Sequence, residues 1–286
     1  VVAGLINLLN HLVNVRLDIR RAILPIALLF AAFPAAAQLL GSTARQASTG
    51  SLKFLAYYQG VSGQNLNFSV NTSGLCTAAA PSGAVAFPCN SSGEVQAEGS
   101  GGAGLFKVSW QAAERFQLYA TVGTGDYSVK VPSTTVENTL SGDKLGIIYG
   151  AGLKASIVPD TIVNPAIALD LSIMRSHYNF NQITPGGTAG INNGFSQRLT
   201  LMTYQVAVET SHQFDIDGGW KLEPYGGVKW TRVQADLKDL SGGSHAGGQK
   251  DTGTPFVGLR VPAEDRIAFF TEASFLDGVH YGGGLE

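Results

Sequence analysis

The stretch KLGIIYGAGLKASI, residues 144–157, carries an apolar side chain at every second position: Leu145, Ile147, Tyr149, Ala151, Leu153, Ala155 and Ile157. The residues between them, Gly146, Ile148, Gly150, Gly152, Lys154 and Ser156, are small or polar except Ile148. A period of two describes an extended strand with one oily face. At about 14 residues the pattern outruns the usual strand of about 5–6. It matches a tilted strand crossing a bilayer, which takes about 9–11.

The alternation recurs along the chain. Leu52, Phe54, Ala56 and Tyr58 alternate with Lys53, Leu55 and Tyr57, and Phe106, Val108 and Trp110 with Lys107 and Ser109. Further segments lie near 116–128, 167–174, 202–209, 221–230, 255–261, 267–275 and 280–286. Short links near 112–115, 158–164, 213–219 and 262–265 take turns with long polar ones near 60–102, 130–143, 179–198 and 237–251. Short turns on one rim and long loops on the other predict an all-β, up-and-down antiparallel transmembrane β-barrel. Ten strands fit best, with eight or twelve as alternatives. Pro224 weighs slightly against its strand, because proline removes a ladder donor.

Residues 16–38 read RLDIRRAILPIALLFAAFPAAAQ. Arg16, Arg20 and Arg21 form a basic region, Ala22 to Phe33 an apolar run, and Ala35-Ala36-Ala37 a cleavage site. This predicts a cleaved secretory signal, with an uncleaved anchor as the alternative. Residues 1–37 are thus read as a signal with a spurious N-terminal extension, 38–50 as a periplasmic linker, and 51–286 as the barrel. Cys76 and Cys89 are the two cysteines; in an exported protein they are expected to form a disulfide stapling the external loop 60–102. The 19 Lys+Arg against 21 Asp+Glu argue against a nucleic-acid surface. No ligand cluster with metal-site spacing is evident, and no cofactor is expected.

The signal, the alternating strands, the uneven loops and the closing segment Tyr281-Gly-Gly-Gly-Leu285-Glu286 together resemble a small Gram-negative outer-membrane β-barrel protein. The resemblance covers about residues 50–286 and is one of architecture. It implies outer-membrane lipid, lipopolysaccharide and the barrel-assembly machinery as partners. Such barrels usually end on an aromatic residue, so a few C-terminal residues are expected beyond Glu286.

With the oily set facing lipid, the inward charges are Lys53, Lys107, Lys154, Lys221, Lys229 and Arg260 against Asp170, Glu209, Glu223, Glu272 and Glu286. Inward Tyr57, Tyr119, Tyr225, Phe256 and Phe270 add bulk, which predicts a mostly plugged lumen and a structural or surface-interaction role. A narrow diffusion channel threading Gly123, Gly146, Gly150, Gly152 and Gly227 is the alternative. Tyr58, Trp110, Tyr178, Tyr204, Trp220, Trp230, Phe269 and Tyr281 are candidates for interfacial aromatic girdles. An omptin-like protease or acyltransferase-like enzyme would draw on His177, His245, Asp236, Asp239, Asp251, Ser241 and Ser244. The run 236–251 is too glycine-rich to hold general-base geometry, and no enzymatic role is expected. A soluble lipocalin-like barrel is a further rival, with its oily face turned inward.

Overall fold

The computed structural model describes residues 43–45, 47–69, 94–131, 137–185, 196–216, 220–240, 245–264, 267–275 and 277–286. The expected signal and the Cys76–Cys89 staple lie outside them. The strands are β1 (Leu52–Ser69), β2 (Glu94–Ala113), β3 (Phe116–Val131), β4 (Asn138–Ser141), β5 (Gly146–Val158), β6 (Ala166–Phe180) and β7 (Gln182–Pro185). They continue as β8 (Gln197–Ser211), β9 (Phe214–Ile216), β10 (Trp220–Asp239), β11 (His245–Glu264), β12 (Ile267–Ser274) and β13 (Val279–Leu285). Every pairing is antiparallel, and the path β1-β2-β3-β5-β6-β8-β10-β11-β12-β13 returns to β1. That is a closed cylinder of 10 strands. Closure leaves no backbone edge facing hydrocarbon, where nothing could satisfy it.

The side chains are arranged inside out. Leu52, Phe54, Phe106, Leu118, Val122, Ile147, Ile173, Val208, Val228 and Val257 are exposed on the outer wall, while Lys107, Lys154, Asp170, Glu209, Glu223, Lys229 and Glu272 are buried within. On the lipid face each such cation would cost about 2–4 kcal/mol at midplane. The lipocalin-like arrangement, with apolar groups inward around a ligand, is thereby excluded for this half.

Several strands run on past the bilayer, and there the polarity reverses. On β6 the outward Leu169, Leu171 and Ile173 give way to Arg175, His177 and Asn179, while the inward set passes from Asp170 to Met174, Tyr178 and Phe180. On β8 the outward Val208, Val206, Tyr204 and Met202 give way to Thr200 and Arg198, with Leu201 and Leu199 inside. β3 follows suit, ending in outward Asp126, Ser128 and Lys130 over inward Tyr127, Val129 and Val131. The outer half is built like a soluble sheet, because its exterior meets water. Loop 60–102 is accordingly shorter than expected, since β1 continues to Ser69 and β2 begins at Glu94. β4 and β7, unforeseen within the loops at 130–143 and 179–198, pair with each other, and β4 extends the wall above β5 alongside β3. Pro224 is accommodated because the β8–β10 ladder ends one residue above it, at Tyr225↔Ser211.

β12 and β13 are much shorter than their neighbours, so their turn stops partway up the wall. Above it β1 and β11 pair directly, through Phe68↔Gly248 and Ser69↔Gly247. The turn is fastened by Asp277, buried at 2% exposure. Its carboxylate accepts from Lys250 Nζ at 2.6 Å, Thr252 Oγ1 at 3.2 Å and the Asn65 backbone N–H at 3.3 Å. Gly278 follows with φ +77°, and a Cβ there would strike the Ser62 carbonyl. Asp277→Ala leaves three donors without their acceptor and is expected to destabilise the folded barrel by about 2–3 kcal/mol in urea unfolding from micelles. An unchanged midpoint would mean that the carboxylate does not hold the turn.

Candidate functional site: the barrel interior

The inward positions of the lipid-embedded half come from alternate residues of each strand, so every strand delivers its polar set to one shared space. Charges there must be paired, because an isolated buried ion is costly by several kcal/mol. Lys154, from β5, forms ion pairs with Glu209 of β8 and, at 3.7 Å, with Asp170 of β6. The Tyr119 hydroxyl donates to Asp170 at 2.5 Å, and Lys107 sits 3.9 Å over the Tyr119 ring centroid. Lys229 meets Glu272 at 3.1 Å and lies 5.2 Å from the Phe256 ring centroid. Nearer the periplasmic rim, Arg260 bridges Glu223 at 2.9 Å and Glu286 at 3.1 Å, and Lys53 reaches Glu286 at 2.5 Å.

The structure thus brings together Lys53, Lys107, Lys154, Lys229 and Arg260 with Asp170, Glu209, Glu223, Glu272 and Glu286, five of each sign. Lys221 corrects the sequence reading. It shares the strand face of Glu223 but is exposed beyond the barrel rim, where β10 pairs with β9 through Lys221↔Asp215.

Several inward glycines lie beneath tyrosine rings. Tyr119 on β3 pairs with Gly152 on β5, and its ring covers the space a Cβ would take. Tyr225 covers Gly258 across the β10–β11 pair in the same manner. An aromatic ring laid over a cross-strand glycine fills interior volume that the glycine alone would leave empty. At Gly146 the ring of Tyr178 occupies the corresponding place. Tyr178 is therefore inside, at 2% exposure and stacked on Tyr127 with centroids 5.0 Å apart, and is no girdle residue.

Above the charges lies an apolar layer including Leu66, Leu105, Ile148, Met174, Phe180 and Leu199. Below, the chain ahead of β1 enters the periplasmic end. Ala44 is fully buried against Ala166 and Ala168, and the Thr43 carbonyl accepts from Lys154 Nζ at 3.4 Å. Thr43 and Ala44 belong to the expected periplasmic linker 38–50, and Ala44 is small enough to fit beside two alanines of β6.

On the outer wall Tyr58, Trp110, Trp230 and Phe269 are exposed, and Tyr204 and Tyr281 are partly so. The side chain of Trp220 lies outside the described residues. Among the described residues, Asp251, Asp236 and His177, weighed for catalysis, stand on three different strands of the outer wall, β11, β10 and β6. Arg232 grips Asp251 through two hydrogen bonds, at 2.7 and 2.9 Å, on the outer surface. That contact holds the Asp251 carboxyl below its usual range. Asp236 faces outward, and His177 Nδ1 contacts Thr200 Oγ1 at 3.0 Å on another part of the wall. Ser241, Ser244 and the side chain of His245 lie outside the described residues.

Two substitutions probe the packed interior. Gly152→Val forces the Tyr119 ring off its seat and away from Asp170, and is expected to cost about 1–3 kcal/mol in urea unfolding. Lys154→Met strands two buried carboxylates and is expected to cost about 3–5 kcal/mol. Adding Glu209→Leu to Lys154→Met should recover part of that loss; strictly additive losses would show that the pair is not coupled.

The family model described as autotransporter beta-domain matches residues 90–264. No curated protein matches the chain. Among solved structures, the chain is similar to the translocator domain of autotransporter NalP from Neisseria meningitidis, at 11% identity and TM-score 0.44, covering 84% of this chain and 88% of that one. It is also similar to the outer membrane protease OmpT from Escherichia coli, at 10% identity and TM-score 0.45, covering 85% and 99%. An outer membrane channel from Pseudomonas putida F1 matches at 10% identity and TM-score 0.35, covering 87% and 98%. The family match spans more than half of a chain whose strands close into a lipid-facing cylinder, and the protein belongs to the autotransporter beta-domain family of outer-membrane barrels.

Proposed function

We propose that the protein is a closed outer-membrane scaffold, exported by its signal, that presents its outer wall and loops at the cell surface and carries little or no solute flux. One observation carries this reading: the charges in the middle of the lumen are buried, with Glu223 at 0%, Lys107, Glu209 and Lys229 at 1%, and Asp170 and Glu272 at 2% exposure. The walls of a diffusion pore would be wetted. The apolar layer above the charges supports the same reading, because a dry constriction opposes ion passage even where it is narrowly open. Outer-membrane lipid, lipopolysaccharide and the assembly machinery are the expected partners, and no catalytic role is assigned.

A second reading is favoured by the contact of Thr43 with Lys154 and by family membership. The segment preceding β1 already lies within the periplasmic mouth. In this reading the barrel carries or retains that segment, and the filled state is the resting one.

In planar bilayers the wild-type protein is expected to give no reproducible conductance steps, and Tyr127→Ala with Tyr178→Ala to remain silent while the ion-paired layer is intact. Steady open steps from the wild type would favour the channel. A disulfide between Ala44→Cys and Ala166→Cys, formed in the folded barrel, would support the seated segment; failure to form one under oxidation would remove the second reading.

A further inference from the structure

Where the outer wall passes from oily to polar, its charges are unevenly shared. On β2 and β3 the exposed positions above the apolar band include Glu98, Asp126 and Lys130, and Lys130 is already paired with Glu137 at 3.5 Å. On β6 and β8 the corresponding outward positions carry Arg175, His177, Asn179, Arg198 and Thr200. Among the described residues no carboxylate stands on the outward face of these two strands above Ile173 and Tyr204. On the next strand, β10, Asp236 lies across from Thr200 and Lys238 across from Arg198. Its Arg232 is taken by Asp251.

The site has a defined floor and flanks. His177 pairs across the sheet with Thr200 and contacts its hydroxyl at 3.0 Å. Arg175 is opposite Tyr149 on one side and Met202 on the other. Arg198 stands opposite Asn179 and donates from Nε to its side-chain oxygen at 3.2 Å. Partial burial, and then the positive charges of Arg175 and Arg198, hold His177 below its usual range. Arg175 stands two residues before His177 on the same strand face, and Arg198 pairs with Asn179 two residues after it, so the two arginines flank one imidazole.

Height matters as much as charge. Arg175 is the first outward residue beyond Ile173, paired with Tyr149 of β5 and Met202 of β8 and one outward position above Tyr204. There the face of β6 turns polar while β5 stays apolar through Ile147 and, just before the strand, Leu145. Aromatic side chains of barrels gather at the headgroup level. An arginine at that level faces the phosphate layer of the outer leaflet, and its planar fork matches a phosphate through two parallel hydrogen bonds. We propose that the Arg175–His177–Arg198 face binds the phosphate groups of a phosphorylated glycolipid of the outer leaflet, with Tyr149 and Tyr204 lying against its carbohydrate–acyl boundary. The acidic wall of β2 and β3 repels the same lipid, so the barrel holds a preferred orientation among its lipid neighbours.

The test uses the full folded chain in neutral phosphatidylcholine nanodiscs, titrated with bisphosphorylated lipid A and with the same glycolipid stripped of phosphate, and read by native mass spectrometry. The wild type is expected to prefer the phosphorylated form by about tenfold. Arg175→Ala with Arg198→Ala should abolish that preference, and Lys130→Ala on β3 should retain it. Should the alanine pair fail to fold, Arg175→Gln with Arg198→Gln gives the same readout. No preference in the wild type, or a preference that survives loss of both arginines, would overturn the proposal. So would full displacement by millimolar inorganic phosphate, which would identify an adventitious anion site rather than a lipid seat.

Discussion

Hydrocarbon offers a protein no hydrogen-bond partners and little tolerance for charge, and this constraint governs the whole chain. It demands a closed ladder, which the return of β13 to β1 supplies. It also expels ions from the outer wall, so the only place left for Lys107, Lys154, Lys229, Asp170, Glu209 and Glu272 is the lumen. Once confined there, these ions must neutralise one another, and the pairing of Lys154 with Glu209 and Lys229 with Glu272 follows. The constraint ends where the bilayer ends. Above that line the wall turns polar and the interior turns apolar.

This reversal explains what could be read from the sequence and what could not. Inside the bilayer the alternation keeps one phase, so Leu145 to Ile157 and the charged partners of the oily set were legible directly. At the headgroup level the apolar set shifts to the other face, and two apolar residues stand side by side: Ile173 and Met174 on β6, Leu201 and Met202 on β8. A reader following one phase ends the strand there. The outer ends of β6 and β8 accordingly fall within the expected loop 179–198, and Tyr178, a girdle candidate, is an inner residue stacked on Tyr127.

The interior was legible as a set of residue types but not as a packing. The inward glycines were legible as gaps in the lining, but not that tyrosine rings lie across Gly152 and Gly258. Strand register decides this, since Tyr119 meets Gly152 only because β3 and β5 pair as they do. A sequence does not state register between strands joined by long connections. Lys221 shows the complementary limit: its face was read correctly, but its height along the barrel axis put it outside the lumen. The outer basic face of Arg175 and Arg198 was invisible for the same reason, because the residues are far apart in sequence and become neighbours through the β6–β8 ladder.

The polarity reversal is the claim on which the account stands, and it can be measured along a single strand. Nitroxide labels placed singly at Leu169, Leu171, Ile173, Arg175, His177 and Asn179 of the barrel in a bilayer report collisions with oxygen, which concentrates in lipid, and with a water-soluble nickel chelate. The account predicts oxygen-dominated collisions at the first three sites and chelate-dominated collisions at the last three, with the crossover between Ile173 and Arg175. Uniform lipid exposure along all six, or chelate access at Leu169, would contradict it.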